Sequence, residues 1–303
     1  MSQETTGAPE SAFAENLRPR GQTVRAVRLF FRKNPVALPS ILLVAIPTIF
    51  AIFAPLLATH DPEANGPISE FLEGPSWKHI FGTDRLGRDT WSRVVYGARP
   101  AMIVGLSAVL IGVTGGLVIG MLSGYLRGWV EQVLQRGIDV ALSIPNIILL
   151  LIAIAIFQPS LLVVSVAIGV FLAPAIGRVT HGIVVDLAAA TYVEAAEVVG
   201  AGRVRILVKH LLPNVLPPVI VISSAVLPAA ILAEAGLSFL GLGVPPPTPS
   251  WGADLSGQNR SAFIAAPWLF LFPGAALSLT VLGFNLLGDV MRDVLDPRLR
   301  GQF

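Results

Sequence analysis

The segment from Tyr192 to Asn214 reads YVEAAEVVGAGRVRILVKHLLPN and sits between two stretches apolar enough to cross a membrane. Glu194-Ala-Ala-Glu-Val-Val199 favours helix, and Gly200 stands where such a helix wants a left-handed closing residue. The spacing predicts two short helices broken at Gly200-Ala201-Gly202. In the second, Val204 to Leu212, Arg203, Arg205 and Lys209 bring charge while Val204, Leu207, Val208 and Leu211 form an apolar side, and Pro213 is expected to end it. Such a helix can lie at a membrane surface with its bases toward anionic headgroups. It can equally pair with Glu194 and Glu197, or with an acidic groove on a partner.

Outward from this segment the chain is built for lipid. Of its 303 residues 53% are hydrophobic and only 13% charged, against about 25% charged in an average soluble domain. There is no cysteine, which excludes disulfides and thiolate metal sites. The net charge of +2 is modest, so its distribution carries more information than its sum, and no nucleic-acid partner is expected.

The polar lead before Asn34 is too long for a secretory signal peptide, so Pro35 to Leu57 is expected to be a retained helix, kinked at Pro39, Pro47 and Pro55. A polar connector from His60 to Arg99 follows. Arg99 to Arg127 encloses a second uncharged block, in which Gly112, Gly116, Gly120 and Gly124 recur every four residues. Glycines on one helical face let another backbone approach closely, from this chain or a second one. Asp139 to Arg178 encloses 38 uncharged residues. As one helix these would run about 57 Å, against about 30 Å of hydrocarbon, so two spans broken at Phe157-Gln-Pro-Ser160 are expected. Leu211 to Ala233 and Ser261 to Gly288 supply a fifth and a sixth.

Six spans put both termini on one side. That side collects 15 of the 21 Arg and Lys and the other six, Lys78, Arg85, Arg88, Arg93, Arg99 and Arg260; the bias makes the first side cytoplasmic. The expected division is a cytoplasmic tail over 1–34, a first transmembrane helix over 35–57 and an extracytoplasmic connector over 58–98. A core of five spans follows over 99–290, including the cytoplasmic loop 179–213, and a cytoplasmic tail over 291–303.

Catalytic constellations are missing from the sequence. The lysines Lys33, Lys78 and Lys209 follow Arg, Trp and Val, so no Gly-Lys-Ser/Thr phosphate loop exists. Leu255-Ser-Gly-Gln258 is one glycine short of an ATPase signature and falls on the wrong side. His60, His79, His181 and His210 are scattered, there is no HExxH, and no GxSxG elbow supplies a nucleophile. His60 and His79 read as too isolated to argue for nickel. Ionisable groups at membrane depth are expensive and worth a functional reading. Glu234 at the end of the fifth span, and Asn285 and Asp289 at the end of the sixth, are candidates for the pathway or for interhelical polar contacts.

Glu194-Ala195-Ala196, Gly200, and then Leu212-Pro213 resemble the EAA loop of ABC importer permeases. The chain is similar, over nearly everything after residue 25, to the second permease subunit of the dipeptide/oligopeptide/nickel importer family. The likeness rests on Phe81-Gly-Thr-Asp84 with Gly87-Arg-Asp89, Tyr96-Gly-Ala-Arg99, Ile144-Pro145, Tyr192-Val-Glu-Ala-Ala196 and His210-Leu-Leu-Pro-Asn214. Glu234-Ala-Gly-Leu-Ser-Phe-Leu-Gly-Leu-Gly243, Pro247-Thr-Pro-Ser-Trp-Gly252, Ala266-Pro-Trp268, Phe272-Pro-Gly274 and Asn285-Leu-Leu-Gly-Asp289 continue it. Departures are Ala173, Arg178 and His181, where the family has a Trp and two arginines, and Arg127, where a glycine is common.

The resemblance implies an all-α integral membrane protein of the type I importer permease (MetI-like) fold in a prokaryotic cytoplasmic membrane. It implies partners: a homologous second permease, two ABC ATPase subunits that hold the ATP and Mg²⁺, and an extracytoplasmic substrate-binding protein. It makes Tyr192, Glu194, Ala195, Ala196, Gly200, His210, Leu212 and Pro213 transmission contacts with an ATPase, none of them catalytic, with no cofactor bound by this chain. The other class in view is an ion-coupled secondary transporter or channel working alone. Such proteins often show internal repeats and broken helices at mid-membrane, and no persuasive repeat is present here.

Overall fold

The computed structural model describes residues 31–32, 34–256, 262 and 264–295. The expected N-terminal tail up to residue 30, most of the C-terminal tail, and Arg260 fall outside them. Helices dominate: α1 (Ala37–Leu57), α2 (Thr90–Leu126), α3 (Gly128–Ser143), α4 (Asn146–Phe157), α5 (Leu161–Ala188) and α6 (Thr191–Val198). A continuous α7 (Arg203–Phe239), a one-turn α8 (Trp251–Asp254) and α9 (Trp268–Leu295) complete the chain. Among the described residues the only β pairing is a single bridge between Thr83 and Asp89. Among the described residues five helices, α1, α2, α5, α7 and α9, are long and apolar enough to cross a membrane, or six if α3 and α4 together count as one broken span.

The glycine face of α2 finds its partner within the chain. Gly112, Gly116, Gly120 and Gly124 are all buried and lie against α5. A methyl added at Gly116 would stand 2.7 Å from Ile176 Cβ, and one at Gly124 2.8 Å from Val184 Cβ. Gly169 of α5 returns the contact, its missing side chain facing Ala108 O at 2.8 Å. Backbone meets backbone along this seam, which is how helices associate where lipid removes the hydrophobic drive.

Contacts at its tips orient the bundle. Trp91 Nε1 donates to Leu57 O at 2.9 Å and Trp268 Nε1 to Thr83 O at 3.2 Å. The end of α1 and the starts of α2 and α9 therefore share one end with the 58–89 connector. Tyr125, at the far tip of α2, donates to Glu197 Oε1 of α6 at 3.1 Å. The start of α1, the finish of α9 and the Gly200 bend share that opposite end.

Several expected boundaries move. α2 begins at Thr90 rather than at residue 99, because Asp89 caps it through Ser92 N and its arginines Arg93 and Arg99 find partners in place. Arg93 is buried against Asp254, and Arg99 Nε donates to Ala51 O at 2.9 Å while its guanidinium lies over Tyr96. The two spans expected between Asp139 and Arg178 correspond to the broken pair α3–α4 and to α5. The break at 157–160 is present, with Ser160 capping Val163 N, but a second break falls at Ile144-Pro145, where the chain turns by 89°. The proline forces Ile144 into extended backbone (φ −99°, ψ 131°). α4 has 12 residues, about 18 Å, too short to cross alone. The preceding α3 is amphipathic and is pinned to α5 by Arg178–Asp139 and by His181 Nε2–Glu131 at 3.2 Å.

Arg127 joins α2 to α3 at φ +50°, ψ −167°, a conformation almost reserved for glycine. Arg127→Gly is expected to raise stability by about 1 kcal/mol, read as an upward shift of the thermal midpoint in detergent.

Candidate functional site

The bend at residues 190–214 is built by a helix-closing motif. Gly200 has φ +83°; its amide donates to Glu197 O at 2.9 Å, and the Ala201 amide reaches back to Ala196 O at 3.0 Å. This crossed pair is a Schellman closure. Its apolar side is made by small residues, Ala196 and Ala201, both packed against the cluster of Val184, Val193, Ile206, Leu211, Val215 and Val219. The second alanine of Glu194-Ala195-Ala196 is thus small because the chain folds back over it.

Pro213 does not end the second helix, contrary to expectation. Arg203–Arg205 leads into a π turn over Ile206–Leu211 and then directly into the rest of α7, with Pro213 in its first turn. The Leu212 amide bonds to Leu207 O, opening the ladder where Pro213 brings no N–H and its ring needs room. Asn214 Nδ2 donates to His210 O at 2.7 Å and ties the widened turn.

The two faces of this bend differ. Val193, Ile206 and Leu211 are fully buried, and Ala196, His210 and Leu212 partly so. Tyr192, Glu194, Ala195, Gly200 and Pro213 are exposed. Val198 is 82% exposed, Val199 87% and Val204 74%, an apolar tip beyond the end of the bundle. Arg203, Arg205 and Lys209 are exposed beside it, and no salt bridge joins them to Glu194 or Glu197 among the described residues. The bend is clamped on the inside and sticky on the outside.

At the connector end, the Phe81–Asp89 motif folds as a tight knot. Asp84 Oδ1 accepts from the amides of Leu86 (2.8 Å) and Arg88 (2.9 Å), while its Oδ2 takes Arg88 Nε at 2.7 Å. Gly87, at φ +71°, lies so close to Gly66 that a side chain would strike its Cα at 2.9 Å. Asp89 Oδ2 accepts from Ser92 N, Ser92 Oγ and Thr59 Oγ1. Burial pushes the Asp89 carboxyl up, but the donors from Ser92, His79 and Thr59 outweigh it and hold it below the usual carboxylate range.

Pro247–Gly252 supplies the wedge that closes this end. Trp251 is buried, donates to Val94 O at 2.8 Å and fills the space left by Gly97. Gly252 abuts Ala235, whose carbonyl would lie 2.0 Å from an added methyl. Arg93 Nε donates to Asp254 Oδ1 at 2.9 Å and Nη1 to Pro62 O at 3.0 Å. Burial pushes the Asp254 carboxyl up, with Arg93 opposing. Arg88, Arg93, Thr248, Asp254 and Ser256 line a polar pocket there.

Glu234 does not end its helix: α7 runs on to Phe239, and the Glu234 carboxylate is 1% exposed. Its Oε1 accepts from Ser238 Oγ (2.7 Å) and Ser250 Oγ (3.0 Å), stitching α7 to the loop before α8. Asp289 lies within α9, which continues to Leu295, and it and Asn285 are exposed, Asn285 Nδ2 donating to Val281 O at 2.9 Å. Glu234 and Asp289 lie toward opposite ends of the bundle and form no common site. His60 and His79, read from sequence as isolated, are brought together with ring centroids 4.7 Å apart. Eighteen connector residues lie between them, so no periodicity announces the contact.

Comparison with known proteins agrees on one family. Residues 116–301 match the family described as binding-protein-dependent transport system inner membrane component, and residues 23–75 match the N-terminal TM domain of oligopeptide transport permease C. The chain is 40% identical over 269 residues to the dipeptide transport system permease protein DppC of Alkalihalophilus pseudofirmus, covering 89% of this chain and 88% of that one. It is 39% identical over 271 residues to the glutathione transport system permease protein GsiD of Escherichia coli, covering 89% of each. Among solved structures, the inward-facing MetNI methionine ABC transporter has a chain that superposes with a TM-score of 0.55 at 19% identity, covering 67% of this chain and 96% of that one. At that identity the match speaks for the fold.

Proposed function

Because the chain belongs to the binding-protein-dependent transport system inner membrane components, we propose that it pairs with a homologous permease and is driven by ATPase subunits docked on its Gly200 bend. Membership makes it a permease component of an ABC importer in the inner membrane, and an ion-coupled carrier working alone is set aside. The observation that carries the docking reading is the contrast between the faces of the bend. Val193, Ile206 and Leu211 lock it to α5 and α7, while Val198, Val199 and Val204 stand in the open next to exposed bases and Glu194. A partner groove that grips the outer face moves the spans through the inner one.

On this reading the bend lies in the cytoplasm with both termini, which the excess of Arg and Lys at the bend end supports, and the connector faces an extracytoplasmic binding protein. ATP and Mg²⁺ belong to the ATPase subunits. The cargo is a short peptide or peptide-like solute, by analogy with relatives named for dipeptide and glutathione transport.

Two substitutions test the docking. Gly200→Pro imposes φ near −65° where +83° is needed and deletes the bond to Glu197 O. Glu194→Lys reverses an exposed charge that makes no intramolecular hydrogen bond among the described residues. Both variants are expected to insert, Glu194→Lys melting close to wild type and Gly200→Pro below it, while uptake and substrate-stimulated ATP hydrolysis fall by roughly an order of magnitude or more in proteoliposomes of the assembled importer. Normal uptake in both would overturn the reading.

A further inference from the structure

We infer that His60, His79 and Asp89 form a binding site for a divalent transition ion of the zinc class, which fastens the foot of α1 to the start of α2. The inference stands apart from the transport reading and needs no partner subunit. One ligand atom from each of the three residues lies within 4.8 Å of the other two. His79 Nδ1 is 2.9 Å from Asp89 Oδ1, and His60 Nδ1 is 3.8 Å from the same oxygen. Ligand atoms around tetrahedral zinc stand about 3.3 Å apart. The His79–Asp89 pair is already within that span, and the His60 side chain, 38% exposed, can swing to complete it.

The surroundings are those of a prepared site. The second oxygen of Asp89 is held by Ser92 N, Ser92 Oγ and Thr59 Oγ1, which fixes the carboxylate and leaves Oδ1 for the ion. His79 is almost fully buried, and its Nε2 lies 3.3 Å from Glu70 Oε2. A carboxylate behind the far nitrogen sets the tautomer and raises the basicity of the near one, the arrangement that supports histidine ligands in metal sites. Metal takes the place of the proton that otherwise lies between His79 Nδ1 and Asp89 Oδ1. Among the described residues Lys78 is the one cation bonded to this cluster, and it bonds Glu70 Oε1, the oxygen other than the one nearest His79. Two imidazole nitrogens and one carboxylate oxygen select a borderline ion over Mg²⁺ or Ca²⁺, which prefer all-oxygen shells. A water completes the fourth position on the exposed side of His60.

The test is calorimetric titration of ZnCl₂ into the chelator-stripped full chain in detergent, compared with His60→Ala and Glu70→Gln. His60 is half-exposed and outside every core cluster, so its variant keeps the fold. Wild type is expected to bind one more zinc per chain than His60→Ala, and Glu70→Gln to bind that zinc roughly tenfold more weakly, with MgCl₂ in excess leaving the wild-type isotherm unchanged. Equal zinc stoichiometry in wild type and His60→Ala, or displacement of the zinc by Mg²⁺, would overturn the assignment.

Discussion

Gly120→Leu is expected to reach the membrane yet lose its cooperative thermal transition, and with it all uptake. The Cβ alone would sit 2.5 Å from Thr180 Cβ and 2.8 Å from Gly177 O. Neither neighbour is the loose end of a side chain, so α2 and α5 must part. Overpacking a core costs about 1–3 kcal/mol where side chains can yield, and the full seam from Gly112 to Gly124 opens with this one position, so a loss at or above the top of that range follows. The control is Gly182→Leu on the same helix pair, where an added Cβ meets nothing within 4 Å. Intrinsic fluorescence of the five tryptophans reports melting of both variants. Identical midpoints for Gly120→Leu and Gly182→Leu would mean the seam is not closed as described.

Asp254→Ala is the second large effect. It strips the buried Arg93 guanidinium of its carboxylate and leaves the Pro62 carbonyl as its remaining described acceptor. Removing one partner of a buried pair costs about 3–5 kcal/mol, whereas an apolar pair of similar volume is often neutral or better. The double variant Arg93→Met with Asp254→Leu is therefore expected to recover most of the loss. The expected order of melting midpoints is wild type close to the double variant, with Asp254→Ala well below both. A double variant no better than Asp254→Ala would show that the pair holds the connector by geometry that apolar packing cannot replace.

The parts of the fold legible in the sequence were those that follow from periodicity and solvent. Uncharged blocks announced α1, α5, α7 and α9, and the four-residue spacing of glycines announced the face of α2, because both patterns repeat along a helix axis. Gly200 was legible because its place after a helix-forming run demands a left-handed backbone. What failed to show depends on pairs distant in sequence. Arg93 seemed to lie outside the second span because its partner Asp254 is on a one-turn helix far downstream. Glu234 looked terminal because Ser250, which satisfies it, lies in a loop. The bend at Pro145 had a local signal that the length of the apolar block outweighed, and the π turn before Pro213 has none, since a proline at that place stops an α-helix and only a widened turn admits it.

The glycine seam also fixes where this protein can deform. From Ala108 to Gly124 the close approach of the two backbones leaves little side-chain volume between them to slide or re-pack, so α2 and α5 form a strut over that length. Stiffness there means that a push on the Tyr125 tip is carried along the seam. Compliance is greatest in α7, which carries the widened turn at Ile206–Leu211 and prolines at 217, 218 and 228 where α2 and α5 carry one each, Pro100 and Pro174, and at the elbow at Pro145. Bending in this permease component is concentrated in those elements and levered against the seam.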